Sequence, residues 1–174
     1  MPAPRRAAIT GAPGAGKSTL LAALAERGLA TVPEVARRIL LALEGMELRA
    51  RDPLGFAQAM LEEQLKAWEV APSLGPIVFD RGFPDIVGFL RVEGLPVSAA
   101  IDRACRSLRF DGPVFRAKAW QSIYRPDEQR RQTWSEAVAS DEAVTSAWRE
   151  YGYEPIDLPQ TSVSGRARFV IARL

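Results

Sequence analysis

Ala7-Ala8-Ile9-Thr10-Gly11-Ala12-Pro13-Gly14-Ala15-Gly16-Lys17-Ser18-Thr19-Leu20-Leu21 decides how this 174-residue chain is read. Residues 7–10 form a short apolar run that ends in a glycine-rich turn. Residues 17–27 then place Leu20, Leu21, Leu24 and Ala25 at helical spacing before Gly28, so the order is strand, loop, helix. Gly11 to Ser18 satisfies G-x-x-x-x-G-K-[ST] in the context that motif requires. Glycines let successive backbone N–H groups turn inward as an anion-binding nest, and the helix N-terminus adds its positive dipole end. The expected ligand is therefore a nucleoside triphosphate cradled by Gly11, Ala12, Pro13, Gly14, Ala15, Gly16, Lys17, Ser18 and Thr19. Lys17 is expected to reach the β- and γ-phosphates, and the Ser18 hydroxyl to ligate Mg²⁺. ATP is preferred, because the sequence has no guanine-reading motif of the N/T-K-x-D kind.

Outward from this loop, short apolar strands alternate with helical patterns. Residues 29–32 read as a second strand, with a helix over 34–43 stopped by Gly45. Asp52-Pro53 opens a helix to about residue 71, in the order of an N-cap followed by proline. Residues 76–79 are a third strand, uniformly apolar and hence buried, and helices follow over 84–93 and 96–108. Residues 113–117 make a fourth strand. A helical pattern over 127–151, broken near Ser140, leads to a fifth strand at 153–158 and a last helix at 162–173 that Ser162 can cap. Alternation of this kind predicts an α/β fold with a parallel sheet covered on both faces, in one domain spanning residues 1–174. Ligands of such sheets gather at the carboxyl ends of the strands.

Composition narrows the chemistry. A net charge of +2, with bases dispersed among acids, lacks the footprint of a nucleic-acid binder. Of 23 basic residues only Lys17, Lys66 and Lys118 are lysine, so a lysine kept inside the phosphate loop is informative. One cysteine and no histidine exclude an internal disulfide, a Cys/His zinc site and Ser-His-Asp catalysis, which leaves carboxylates, Lys17 and arginines. There is no apolar signal core and no run of 18 apolar residues, so the expectation is a cytoplasmic protein without a membrane partner.

Candidate site residues fall where the fold would collect them. Asp80, at the end of the third strand, is placed to hold Mg²⁺ or to polarise an attacking hydroxyl; Arg81 beside it can pair with phosphate or substrate. Asp80 and Asp85 also suit the N-terminus of the helix at Pro84. Glu34, after the second strand, can accept a hydroxyl proton while Arg37, one turn on, orients it, or can simply pair with Arg37 or Arg38 on the surface. The ridge Phe56, Met60, Gln64, Trp68 sets one amide among large apolar side chains at i, i+4 spacing, which makes Gln64 and Trp68 candidates for substrate contact, or leaves Gln64 a solvated amide at the rim of the face. Residues 124–131 (Tyr-Arg-Pro-Asp-Glu-Gln-Arg-Arg) form an arginine-bearing lid segment within about 120–140, where Arg125 or Arg130 can stabilise the transferring phosphoryl group. The same segment also fits a solvated, ion-paired helix face.

These motifs carry a family resemblance over nearly the whole chain: Thr10 to Thr19, Pro33-Glu-Val-Ala-Arg37, Phe79-Asp-Arg-Gly-Phe-Pro-Asp85, Ile123 to Gln132, and Tyr151-Gly-Tyr153. The sequence resembles the AAA-type P-loop domains that look like ribosylnicotinamide, deoxynucleoside and thymidylate kinases. The resemblance implies a three-layer P-loop fold with strand order 2-3-1-4-5, Glu34 as base, the Asp80-Arg81 pair after the third strand, and lid arginines among Arg125, Arg130 and Arg131. The third-strand motif departs from such kinases in reading Asp-Arg-Gly rather than Asp-Arg-Ser.

The expected activity is transfer of the ATP γ-phosphate to a hydroxyl of a small, nucleoside-like acceptor. A nucleotide-dependent switch acting on a protein partner is the alternative. An oligomeric motor is disfavoured, since the third strand ends in one Asp without an adjacent Glu; monomer and homodimer both remain open.

Overall fold

The computed structural model describes residues 5–42, 44–72, 74–125 and 132–174. Strand β1 (Arg6–Gly11) is the centre of a five-stranded parallel sheet. β3 (Ile77–Asp80) and β4 (Val114–Ala117) flank it, with β2 (Ala30–Val32) and β5 (Ile156–Asp157) at the edges, in the order β2-β3-β1-β4-β5. Alternate residues of the central strands feed two separate cores. Ala8, Ile77, Phe79 and Val114 enter one, and Ala7, Ile9, Val78 and Phe115 the other. A sheet buried on both faces needs such continuously apolar strands.

The first core is closed by α2 (Val35–Leu41), α4 (Pro53–Val70), α5 (Phe83–Val92), α6 (Ala99–Ser107) and α7 (Trp134–Glu150). The second lies under α1 (Lys17–Ala25) and α8 (Val163–Ile171), with Leu20, Leu24 and Val170 each fully enclosed. Burying a side chain of this size contributes about 1.5–3 kcal/mol. Parallel registers pair Ile9 with Asp80 and Gly11 with Ala117, which bring the ends of β1, β3 and β4 level at one edge of the sheet.

Several boundaries differ from the sequence reading. The helix after β2 ends at Leu41, and a further helix, α3 (Gly45–Arg51), follows it. Gly45 therefore opens a helix rather than only closing one. A Cβ there would lie 1.9 Å from the Ile39 carbonyl oxygen, so the glycine lets α3 pack against the end of α2. α6 begins at Ala99, capped by Ser98, whose Oγ accepts from the Ile101 N–H at 3.3 Å, and not at Pro96. α7 runs unbroken through Ser140 from a capping box in which Glu136 accepts from the Thr133 N–H at 2.6 Å. The expected start of that helix at Asp127 lies outside the described residues. β5 is only two residues long, because Tyr153 turns into the core and its hydroxyl accepts from the Phe110 N–H at 3.0 Å. Among the described residues no helix is long and apolar enough to cross a membrane.

Candidate phosphate and acceptor site

The loop after β1 has the backbone of a phosphate cradle. Gly11 sits at φ 118°, and a Cβ on it would fall 2.1 Å from the Ala117 carbonyl oxygen of β4. That carbonyl also accepts from the Ala12 N–H at 2.9 Å, which fastens the loop to the sheet. Gly14 and Gly16 are left-handed at φ 68° and 78°, a region open to glycine at little cost. Gly16 is the N-cap of α1 and has no side chain to cap with, so the first-turn N–H groups of α1 face the cleft. A cleft of about 740 Å³ is lined there by Gly14, Gly16, Lys17, Ser18, Thr19, Arg37 and Arg125. Lys17 is folded back on the loop and donates to the Ala12 carbonyl. Ala12 and Ala15 pack inward, anchoring the loop, and Pro13 forms part of the wall of the neighbouring cavity.

Opposite the loop, β3 delivers Asp80 and Arg81. Asp80 is buried and shares a hollow of about 700 Å³ with Ser18, Glu34 and Arg37. One hydroxyl and one carboxylate on a common hollow are the oxygen set through which a P-loop holds Mg²⁺ alongside phosphates and water, so the residues present fit that ion. A cage of three or more carboxylates, thiols or imidazoles is not found among the described residues. Arg81 stands at φ 72°, a left-handed conformation that is uncommon for a residue with a Cβ. Its Nε donates to Glu34 Oε1 at 2.9 Å, and its Nη1 to Asp85 Oδ1 at 2.9 Å and to the Gly11 carbonyl at 3.2 Å. Burial alone would lower its pKa, but the charges of Glu34, Asp85 and Asp80 outweigh burial and raise it above the ordinary arginine value.

Asp85 is the hub that the sequence showed only as a helix cap. Its Oδ2 does accept from the Gly82 N–H at 2.9 Å. The same carboxylate also accepts from Arg81, from Thr10 Oγ1 at 2.6 Å and from Trp148 Nε1 at 2.9 Å. Four donors from β1, α7 and the β3–α5 turn thus converge on one buried group. Leaving any such donor unsatisfied costs about 1–3 kcal/mol.

A narrow cavity of about 80 Å³ opens beside this cluster, walled by Phe56, Met60, Phe89 and Val144 and edged by Glu34, Arg81, Asp85, Gln64 and Arg49. Gln64 is 2% exposed, and its Nε2 has no hydrogen-bond partner among the described residues. Arg49, on the unexpected α3, sets its guanidinium carbon 6.0 Å from the Phe56 ring centre and 5.7 Å from that of Phe89. Trp68 does not join this cavity. It packs at 5.6 Å on Phe79, 5.6 Å on Phe83 and 5.0 Å on Phe110, with Arg6 over its ring, and belongs to the core. Arg37 lines the phosphate cleft and the Ser18–Asp80 hollow rather than the cavity.

The lid segment is entered at Tyr124, which lies over Gly14 and whose hydroxyl donates to the Gln132 carbonyl. Arg125 faces the cleft and donates from Nη1 to the Tyr124 carbonyl at 2.7 Å. Arg130 and Arg131 lie outside the described residues. The far wall of the cleft, made by Trp120, Ile123, Gln160, Thr161 and Arg166, was not anticipated from sequence.

With this geometry, the AAA domain family matches residues 6–166. The chain belongs to that family, and its fold is that of P-loop kinases. None of the curated proteins matches the sequence. Two solved structures of deoxyadenosine kinase from M. mycoides share the architecture at 16% identity. One, with products dCMP and a flexible dCDP bound, has a TM-score of 0.72 and covers 96% of each chain. The other, with bound dATP, has a TM-score of 0.73 and covers 96% of this chain and 97% of its own.

Proposed function

We propose that this protein is a kinase that transfers the ATP γ-phosphate to a hydroxyl of a nucleoside-like small molecule. One observation carries the reading: Glu34 lines the phosphate cleft, the Ser18–Asp80 hollow and the Gln64 cavity alike. A base for phosphoryl transfer has to stand between donor and acceptor in this way.

In this scheme the nest from Gly11 to Ser18 holds the triphosphate, and Lys17 leaves the Ala12 carbonyl to reach the β- and γ-phosphates. Mg²⁺ held by Ser18 and Asp80 supplies neutralising charge on the phosphate oxygens. The acceptor lies in the cavity with an acceptor atom toward Gln64 Nε2, its apolar body among Phe56, Met60 and Phe89. Its hydroxyl is directed at the γ-phosphorus, and Glu34, oriented by Arg81, receives the proton. A new O–P bond forms as the bond to the bridging oxygen breaks, and ADP departs. Arg125 bears on the charge of the phosphoryl group in flight. A fold match to deoxyadenosine kinase at 16% identity supports the class of acceptor, and the cavity of about 80 Å³ has to widen for a heterocycle and a sugar to enter.

Incubation with labelled ATP, Mg²⁺ and a panel of ribo- and deoxynucleosides tests this reading. Label appearing on at least one nucleoside is the expected result. ATP bound or slowly hydrolysed with no acceptor dependence across the panel would move the protein to the switch reading.

A further inference from the structure

Arg166, in the middle of α8, is 4% exposed, yet it lines the phosphate cleft together with Gly14, Gly16, Lys17 and Ser18. Its Nη1 donates to the Ala15 carbonyl at 2.8 Å, and its Nε has no hydrogen-bond partner among the described residues. A Cβ on Gly16 would lie 2.9 Å from Nη1, so the guanidinium rests directly against the N-cap of α1. Two other enclosed arginines are held by carboxylates: Arg81 has Glu34 and Asp85, and Arg116 has Asp141. Arg166 has none within 4.0 Å among the described residues, and burial lowers its pKa with no charge acting against it. A buried cation without a counter-charge is strongly unfavourable. A molecule that keeps one in a cleft has a ligand to supply the missing charge. The lining agrees, since among the described residues Lys17, Arg37, Arg125 and Arg166 share that cleft with one acid, Glu34.

We propose that Arg166 is a second phosphate-binding cation of the nucleotide site. Its cleft-lining guanidinium end pairs with the polyphosphate chain while Nη1 keeps its bond to Ala15. The inference rests on the nucleotide-binding half of the function proposed above. Its ligand chemistry is a nucleoside di- or triphosphate, and the neutral nucleoside gains nothing from it. Trp120, its ring centre 5.8 Å from the guanidinium carbon, braces the side chain.

The test measures binding of ATP, ADP and adenosine to wild type and to Arg166→Gln by calorimetry, with thermal unfolding of both proteins without ligand. Loss of a charge-assisted hydrogen bond predicts ATP binding weakened on the order of 30-fold, with adenosine changed less than about 3-fold. Arg166→Lys, which keeps the charge, recovers part of the ATP affinity. The ligand-free Tm of Arg166→Gln stays level or rises, because an uncompensated charge has been removed. Equal losses for ATP and adenosine, no loss for either, or a variant that no longer folds would each overturn the proposal; the last would make Arg166 a structural clamp on Ala15. Wild type that binds no nucleotide at all would instead overturn the parent reading, and this inference with it.

Discussion

Two arginine–carboxylate clusters stand at the carboxyl ends of the strands on either side of β1, and they are built differently. At β4, Arg116 is gripped by one carboxylate in a fork, Nε to Asp141 Oδ1 and Nη2 to Oδ2, both at 2.9 Å, with Asp157 Oδ1 only a longer 3.7 Å from Nη1. Asp141 is further satisfied by the Ala119 N–H at 3.1 Å and the Thr145 hydroxyl at 3.3 Å. At β3, Arg81 divides itself between Glu34 and Asp85, two carboxylates from different elements, and sits at φ 72° to do so. The first cluster is a closed tie between strand and helix. The second is open, since Arg81 and both its carboxylates border the Gln64 cavity. A left-handed arginine beside a cavity is what the proposed reaction would use to hold Glu34 in place.

Conservative replacement separates the two most widely. Arg81→Lys is expected to lower kcat by on the order of 10²–10³-fold, because a lysine cannot span Glu34 and Asp85 from one planar group. Arg116→Lys should leave kcat within about 3-fold, as measured by steady-state transfer at saturating ATP. A kcat loss at Arg116 equal to that at Arg81 would erase the distinction. Stability inverts the order. Asp141→Ala leaves the half-enclosed Arg116 charge only its longer contact to Asp157 in place of the fork, and is expected to cost about 3 kcal/mol in denaturant unfolding, with kcat of the folded fraction preserved. Gln64→Leu isolates the acceptor side. KM for the acceptor should rise about 10-fold, with KM for ATP unchanged, since one hydrogen bond to a buried amide is lost.

The smallest effect concerns Cys105, a buried thiol of α6 that belongs to neither cluster. Burial, then the Asp102 charge, push its thiol from 9.0 up to about 12. A neutral acid whose folded pKa is raised lends stability fully below the unfolded value and loses it as pH climbs through the folded one, so this contribution fades between about pH 9 and 12. At pH 8 the thiol should resist alkylation until the chain is unfolded, as read by intact mass.

Sequence carried the phosphate loop and the parallel α/β sheet well, because one is local and the other follows from alternation of elements, while the strand order 2-3-1-4-5 came from the family resemblance. Glu34 and Arg81 were legible as positions, yet the ion pair joining them, 47 residues apart, was not. Asp85 read as a cap because its local partner is Gly82, while Thr10 and Trp148 lie 75 and 63 residues away. α3 was hidden by Gly45, a residue that signals a stop and here permits a close approach. Trp68 failed for a geometric reason. Steps of four residues advance a helix by about 40° beyond a full turn, so twelve residues rotate the ridge by about 120°. Phe56 and Gln64 line the cavity, and Trp68 has turned onto Phe79 and Phe110 of the core. Arg166 escaped notice since a charged residue on the inner face of a helix runs against the apolar pattern by which that face is found.

Glu34 lines both the phosphate cleft and the Gln64 cavity, and the proposed reaction turns on that position. The most direct measurement is the rate of phosphoryl transfer to an accepted nucleoside by Glu34→Gln at saturating ATP and acceptor, with ATP affinity measured on the same sample. kcat is expected to fall about 10²–10⁴-fold with ATP affinity little changed. Undiminished transfer by Glu34→Gln would contradict it.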